Sequence, residues 1–280
     1  MGDVVDVPGV AVGHWTHPTE RTGCTVVVFP HDNEAAVEVR GAAPATRETD
    51  VLAPGMSVRR VDAIVLTGGS AFGLATADGV MSGLEADGRG HPTPAGPVPI
   101  VPAAAIFDLV GRDASVRPDA AAGGLAYRAA SREPLTGRHV GAGAGATIGQ
   151  WTDPTSATRG GIGTASLVVG GAVVGAVAVV NAIGIVTDSP AFDPPFWAGD
   201  ATNTTLVVVA TDAAEAPVDR MAVRAQDALA ASIHPAHTAH DGDVAFAVRV
   251  AGGPPADPVH VTEAAFWAAR GAIRAAVGLE

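Results

Sequence analysis

The chain has 280 residues and a formal net charge of −12, and hydrophobic residues make up 48% of it. A chain of this length can bury a substantial core, and its apolar fraction is too high for a disordered protein. Because the charge is strongly negative, we expect no binding to nucleic acid or to anionic membrane surfaces.

The basic residues and the cysteine exclude further classes. All 17 residues counted as lysine or arginine are arginines. Schiff-base catalysis, a Walker-type phosphate loop and a serine–lysine hydrolase site all need a lysine amine, so these are excluded. The single Cys24 cannot form an internal disulfide. No basic segment precedes an apolar run near the N-terminus, and the apolar run 172–180 is too short to span a bilayer. We expect a soluble, cytoplasmic protein.

Short strands dominate the predicted N-terminal part of the chain. Val4–Val12, Cys24–Phe29, Ala36–Arg40 and Val98–Val101 are apolar or alternating runs between turn residues. This pattern is typical of strands.

The segment Asp62–Leu74 predicts a strand that passes through a glycine turn into a helix over about Ser70–Leu84. A serine in such a turn suggests a nucleophile elbow, but that motif needs a glycine where Phe72 stands. The turn could also present backbone N–H groups to an anion. Helix capping by Ser70 and tight packing explain the turn well, so we assign Ser70 no catalytic role.

An Ala-rich helix is predicted over Asp119–Ser131, followed by the glycine-rich segment Gly141–Gly149. That segment contains a loose dinucleotide-binding pattern. A true fingerprint also needs a preceding strand and an acidic residue about 20 positions later, and neither is convincing here. Close approach of backbone segments explains the glycines, and we expect no cofactor.

Two apolar runs flank Gly170–Gly171, which predicts a β-hairpin. The second run ends at Asn181. An amide side chain at the end of a buried strand can cap a turn, or it can donate a hydrogen bond to an oxyanion. The residues alone favour the turn cap.

The stretch Asn203–Asp212 predicts a strand buried on both faces, because Thr205–Thr211 is a continuous run of apolar or β-branched residues. Small polar residues, among them Asn203 and Thr204, stand at its entrance. A hydroxyl at the mouth of a rigid strand is well placed for chemistry, although an ordinary turn would show the same residues. The Pro- and Gly-containing segment 188–200 before it is predicted to be a loop.

The C-terminal part predicts the order strand, helix, strand, helix. A helix is expected from Pro217 to about Ser232, a strand over Val244–Val250, and a last helix over about Val261–Val277.

A loop rich in histidine and aspartate precedes the Val244 strand. It offers five potential metal ligands: His234, His237, His240, Asp241 and Asp243. Zinc could use three of them, but their spacing matches no known ligand pattern and no second cluster completes a site. We therefore expect no metal and keep a metal-dependent hydrolase as an alternative.

Several of these stretches together resemble one family. The segments Asn203–Asp212, Leu66–Leu74 and Asp241-Gly-Asp243, with the Gly-Ala-Gly text at 141–149, are similar to the DmpA-type aminopeptidases and nylon-oligomer hydrolases. Members of this family cut their own chain before a Ser or Thr, which becomes an N-terminal nucleophile. The resemblance implies a four-layer α/β/β/α sandwich, here one hydrolase domain over residues 1–280, and a homo-oligomer.

The resemblance also implies a cut between Asn203 and Thr204, giving chains 1–203 and 204–280. Thr204 would then attack a peptide or other small-molecule amide, with its own α-amine as the base. Asn181 would stabilise the oxyanion, and Asp241 and Asp243 would orient the ammonium and hydroxyl groups.

One residue departs from the family pattern. Nylon-oligomer hydrolases carry a lysine after the glycine-rich segment, and this chain has Gln150 there. A non-catalytic relative that only binds small molecules therefore remains an alternative, as does a relative that passes its acyl group to an amine instead of water. The sequence does not distinguish short peptides, β-peptides, D-residue amides and nylon oligomers as substrates.

Overall fold

The computed structural model describes residues 2–151, 153–190 and 203–279. Within these ranges, ten strands build two five-stranded sheets and four α-helices accompany them. The strands are β1 (Ala11–Thr16), β2 (Gly23–Val28), β3 (Asn33–Val39), β4 (Thr46–Arg47), β5 (Ala63–Thr67), β6 (Ala103–Ala105), β7 (Gly161–Val169), β8 (Ala172–Asn181), β9 (Thr204–Thr211) and β10 (Val244–Val250). The helices are α1 (Thr76–Ala86), α2 (Ala120–Arg128), α3 (Val218–Ser232) and α4 (Pro258–Ala276).

Shorter elements connect these. Two-stranded pairs join His91–Thr93 to Gly96–Val98, Thr147–Ile148 to Thr158–Arg159, and Ile185–Val186 to Ile233–His234. Single 3₁₀ turns span Val4–Asp6, Asp50–Leu52, Ser70–Ala75, Gly141–Gly143 and Pro154–Ser156.

The two sheets stack face to face between two layers of helices. Their strand orders are β1-β2-β5-β6-β4 and β7-β8-β9-β10-β3. One apolar cluster, with Phe29, Leu206 and Phe246, fills the space between the sheets. A second cluster joins the first sheet to α1 and α2, and a third joins the second sheet to α3 and α4. The predicted α/β/β/α sandwich is confirmed.

Strand β9 lies in the middle of the second sheet, and all eight of its residues are buried. It pairs antiparallel with β8, where Asn181 is opposite Thr204, and parallel with β10. Leu206 faces the core between the sheets, whereas Val207 faces the helices. The prediction of a strand buried on both faces is confirmed, so polar groups at its entrance must find partners inside the protein.

The hairpin prediction is also confirmed. Strands β7 and β8 pair along their whole length around Gly170 and Gly171. Both glycines have positive φ, 59° and 86°, which a tight two-residue hairpin turn requires and glycine adopts without steric cost.

Two N-terminal predictions are wrong. The predicted strand Val4–Val12 is correct only at Ala11 and Val12. Val4–Asp6 is a 3₁₀ turn, because Asp3 caps it through the Val5 N–H and the Asp6 carboxylate bonds back to the Asp3 N–H. Pairing with β2 begins only at Ala11.

The start of the helix after the glycine turn is wrong as well. Ser70–Ala75 is a 3₁₀ segment and α1 begins at Thr76. Ser70 has φ 56° and is not an N-cap, since Gly69 caps the 3₁₀ segment and Ala75 caps α1. The turn is instead fixed by the Gly69 N–H, which donates to Asp108 Oδ1 at 2.8 Å.

Smaller errors lie at element ends. The pairing residues near Val98–Val101 are Gly96–Val98. The helix predicted over Asp119–Ser131 covers Ala120–Arg128, because Asp119 is its N-cap. In the described part of the chain, no helix is long and apolar enough to cross a bilayer.

Candidate active site

The peptide between Asn203 and Thr204 lies inside the protein. These residues are 2% and 3% exposed. The Asn203 N–H donates to the His240 carbonyl at 2.9 Å, and the Asn203 carbonyl accepts the Gly242 N–H at 2.8 Å. The chain just before β9 is thus held against the histidine-aspartate loop by a short parallel bridge.

The residue before the peptide carries an unused group. Asn203 Oδ1 is buried and has no hydrogen-bond partner within the described chain, and the same holds for Thr205 Oγ1. Burial of an unpaired polar atom costs free energy. Such atoms are often found at functional sites, where a later step can supply the missing partner. Most of the loop predicted at 188–200 lies outside the described residues, as does everything from 191 to 202.

Asn181 lies beside Thr204 across the β8–β9 ladder. Its Oδ1 accepts the Thr147 N–H at 2.9 Å, and its Nδ2 donates to the Phe107 carbonyl at 3.1 Å. Phe107 follows β6 of the first sheet, so this amide connects the two sheets at the entrance of β9. The amide nitrogen carries a second N–H for another acceptor.

Asp243 contacts both the Thr204 strand and the preceding loop. Its Oδ1 accepts the Thr205 N–H at 2.7 Å. Its Oδ2 accepts the backbone N–H of His237 at 3.2 Å and faces His237 Nδ1 at 2.9 Å. The carboxyl group is thus enclosed by hydrogen bonds, and the residue is 1% exposed.

Asp241 is the second buried carboxyl group, at 2% exposure. Its Oδ2 accepts the Thr238 N–H at 2.8 Å. Burial, followed by the negative charge of Asp243, raises the pKa of Asp241 to about 6. The intact chain therefore resists a second negative charge at this position.

Gly242 gives the two aspartates their close approach to Thr204. A Cβ at Gly242 would lie 2.7 Å from Thr204 Oγ1 and 2.6 Å from the Ala43 carbonyl oxygen. The Thr204 hydroxyl therefore lies directly against the Gly242 backbone. Gly41 also packs closely on this loop, since an added Cβ there would lie 2.2 Å from the Asp241 carbonyl oxygen.

Gln150, the residue that departs from the expected family pattern, supports Asn181 indirectly. Its Nε2 donates to Thr147 Oγ1 at 3.0 Å, and Thr147 in turn holds Asn181 Oδ1 through its N–H. Gln150 thus contacts Thr147, which in turn contacts Asn181.

All four predicted catalytic residues, Thr204, Asn181, Asp241 and Asp243, come together at one end of the second sheet. Sequence reasoning missed the backbone groups of Gly242 and Phe107. It considered His237 only as a potential metal ligand, whereas in the structure the His237 ring bonds to Asp243. A glycine between two aspartates was the one available signal for Gly242.

The alternative metal site finds no support in the described residues, where no three His, Cys, Asp or Glu side chains gather to hold an ion. His237 Nδ1, one of its potential ligands, is bonded to Asp243 instead.

Known proteins share this fold. A Burkholderia β-aminopeptidase has a TM-score of 0.76 at 24% identity, with 98% of this chain and 86% of that one covered. The Ochrobactrum anthropi L-aminopeptidase D-Ala-esterase/amidase, described as a variant of the Ntn hydrolase fold, has a TM-score of 0.71 at 18% identity, covering 99% and 86%. At these identities the likeness shows the fold.

Sequence comparison shows the family. An uncharacterised aminopeptidase of Mycobacterium leprae is 42% identical over 89% of this chain and 78% of its own length. A 6-aminohexanoate-oligomer endohydrolase of Paenarthrobacter ureafaciens is 30% identical over 87% of this chain and 73% of its own. The model of peptidase family S58 matches residues 2–278. The chain therefore belongs to peptidase family S58 and is a hydrolase.

Proposed function

We propose that this chain is a self-processing amide hydrolase whose nucleophile, Thr204, is freed by a cut between Asn203 and Thr204. One observation carries the proposal. The Asn203–Thr204 peptide is buried, and a backbone N–H donates to its carbonyl oxygen. Asn181 lies opposite Thr204, and the buried pair Asp241 and Asp243 lies in the adjoining loop.

In the first step, Thr204 Oγ attacks the Asn203 carbonyl carbon and the bond to the Thr204 nitrogen breaks as that nitrogen gains a proton. The Gly242 N–H already donates to the carbonyl oxygen, so it would stabilise the negative charge that develops there. Water then hydrolyses the ester. The products are an Asn203 carboxylate and a Thr204 with a free α-amine.

In the second step, the freed Thr204 hydroxyl attacks the carbonyl carbon of a substrate amide, and the α-amine accepts its proton. The amide C–N bond breaks as that proton passes to the leaving amine, and water then hydrolyses the acyl ester on Thr204. Asn181 has one N–H left for the substrate oxyanion. Asp241 and Asp243 orient the new ammonium by charge-assisted hydrogen bonds. Burial and the charge of Asp243 raise the pKa of Asp241 in the uncleaved chain, and a new ammonium at Thr204 would lower it.

The two pieces stay together in this proposal. Residues 204–279 contain the central strand β9, which pairs with β8 of the other piece, and helix α4, which packs on β7 and β8. Cleavage therefore leaves the core intact. The homo-oligomer implied by the family resemblance is part of the proposal, and light scattering of the purified protein tests it.

Short peptides or related amides are the proposed substrates. The M. leprae relative is named an aminopeptidase and the P. ureafaciens relative a 6-aminohexanoate-oligomer endohydrolase. Peptides with a free amino end and 6-aminohexanoate oligomers are therefore the two substrate classes to compare.

A denaturing gel with intact mass tests the proposal. The purified protein should yield chains of 203 and 77 residues, and Thr204→Ala should remain one chain without amidase activity. A wild type that stays in one piece while hydrolysing amides would refute it.

A further inference from the structure

His237 lies against the candidate site, and the proposed chemistry gives its ring no function. Its ring Nδ1 lies 2.9 Å from Asp243 Oδ2, and its backbone N–H donates to the same oxygen at 3.2 Å. The other oxygen of this carboxyl group accepts the Thr205 N–H at 2.7 Å. One carboxylate therefore connects the His237 ring to the residue next to Thr204.

The backbone of His237 indicates that this placement is enforced. Its φ is 55°, in the left-handed region that residues other than glycine rarely occupy. Histidine, asparagine and aspartate enter that region more readily than most residues. Surrounding contacts must outweigh the cost of the conformation, which is common at functional sites.

The ring faces a carboxylate acceptor. Its Nδ1 bonds to Asp243 Oδ2, and the backbone of Gln226 in α3 also favours the protonated form of the ring. A hydrogen bond between an ionised donor and a carboxylate is stronger than one between neutral groups. Burial on its own lowers the pKa of His237, but the hydrogen bond and the charge of Asp243 outweigh it, and the net pKa is raised.

The positive charge stands among negative ones. Asp241 and Asp243 lie in the same loop, and both favour the protonated ring. On the neighbouring strand, Glu38 and Arg40 form an ion pair with each other. From α3, Gln226 supplies neutral groups, with its side chain donating to the Glu38 carbonyl. His237 is thus a basic side chain in direct contact with Asp243, and a positive charge on its ring would offset the charge of the aspartate pair.

We propose that His237 is a positioning residue: its ring fixes the Asp243 carboxylate that holds the start of β9, and its charge offsets the aspartate pair. The inference rests on the proposed function, since it assigns a support to the same site. It differs from the roles given to Asn181, Asp241, Asp243 and the Thr204 amine, because His237 acts only through Asp243.

Two variants and a control test it. His237→Ala removes the ring, whereas His237→Asn keeps an N–H near the position of Nδ1 and tolerates the same φ. His234→Asn makes the same change at an exposed position of the same loop. We expect His237→Ala to lower kcat and the self-cleavage rate by about 10- to 100-fold, the effect of one lost hydrogen bond to a charged group, with KM nearly unchanged. His237→Asn should recover most of the rate, and His234→Asn should match the wild type.

A second readout does not depend on turnover. In the uncleaved Thr204→Ala chain, NMR titration of the His237 imidazole should give a pKa above 6.5, and adding Asp243→Asn should lower it, because the hydrogen bond and the charge that oppose burial are then lost. This readout decides the inference even if His237→Ala does not fold or if the wild type proves inactive. Three results would each overturn the inference. These are wild-type rates in His237→Ala, equal losses of rate in both His237 variants, and a His237 pKa that Asp243→Asn leaves unchanged. An uncleaved, inactive wild type would instead refute the proposed function.

Discussion

Asn181 and Thr204 lie directly opposite each other across the antiparallel β8–β9 ladder. The alternation of both strands directs their side chains into the space between the sheets, where Val179 and Leu206 pack two pairs further along. Opposite residues in such a ladder have Cβ atoms about 5 Å apart. The Asn181 amide is therefore within reach of the oxygen of a carbonyl group that the Thr204 hydroxyl would attack.

Asn181→Ala tests this relationship. We expect the variant to fold and to lose about 10²- to 10³-fold in kcat, the usual effect of removing one oxyanion donor. Steady-state kinetics on a peptide amide and circular dichroism measure both points. Gln150→Ala is the matched control, because it removes only a side chain that bonds to Thr147, and its loss should be much smaller. An Asn181→Ala enzyme with wild-type kcat would show that the amide only joins the two sheets.

Gly242→Ala should block self-cleavage. The new Cβ would be 2.7 Å from Thr204 Oγ1 and 2.6 Å from the Ala43 carbonyl oxygen, so either the nucleophile or the loop must move. The Gly242 N–H would then no longer hold the Asn203 carbonyl in its present position. A time course on a denaturing gel measures the fraction cut.

Gly124→Ala is the control for that substitution. Gly124 lies in α2, where the nearest atom to an added Cβ is the end of the Arg128 side chain at 3.4 Å. Alanine is also the better helix former, so this variant should process normally and be at least as stable. Normal cutting of Gly242→Ala would mean that Thr204 does not react from the position seen here.

The sequence was sufficient to predict what depends on local pattern. The run of apolar residues in β9 predicted a strand buried on both faces, and Gly170–Gly171 predicted a hairpin, because each feature is determined within a few residues. The two acids at 241 and 243 were found through the family resemblance, and the structure places them beside Thr204.

The rest could not be predicted because it depends on contacts between distant segments. The Phe107 carbonyl meets Asn181 from the other sheet, and the Gly242 N–H meets Asn203 only when β9 and β10 pair. A backbone group leaves no mark in a sequence. The prediction of a strand over Val4–Val12 was wrong for a local reason. It gave more weight to the apolar residues than to the capping pair Asp3 and Asp6, which favours a 3₁₀ turn.

The stability of the uncleaved chain should fall as pH rises. Asp241 has an ordinary pKa of 3.8 that the intact fold raises to about 6. A raised carboxyl pKa contributes stability below its unfolded value, and that contribution is lost as pH rises through the folded value. The difference corresponds to at most about 3 kcal/mol of unfolding free energy.

Thr204→Ala should therefore melt several degrees lower at pH 8 than at pH 4.5, measured against the same scan for Thr204→Ala with Asp241→Asn. The asparagine keeps an acceptor for the Thr238 N–H but carries no charge, so its pH dependence should be flatter. The processed wild type should also be flatter than Thr204→Ala, since the Thr204 ammonium lowers the pKa of Asp241. Parallel curves for the single and double variants would contradict the assignment.

The base for the second step should be the α-amine of Thr204. A threonine hydroxyl is a weak nucleophile that needs a proton acceptor, and the chain has no lysine to serve. The His237 ring is hydrogen-bonded to Asp243. An α-amine has a reference pKa of about 7.7–8.0, near working pH, and cleavage creates one on the nucleophile itself.

Two pieces expressed separately, 1–203 and a 204–280 chain beginning at a free Thr204, should be active when combined. Their kcat/KM should fall as pH drops through the pKa of that amine. A 204–280 piece with one extra residue before Thr204 should form the same complex on gel filtration and show no activity. Equal activity of the extended piece would remove the α-amine from the mechanism and leave His237 as the next base to test.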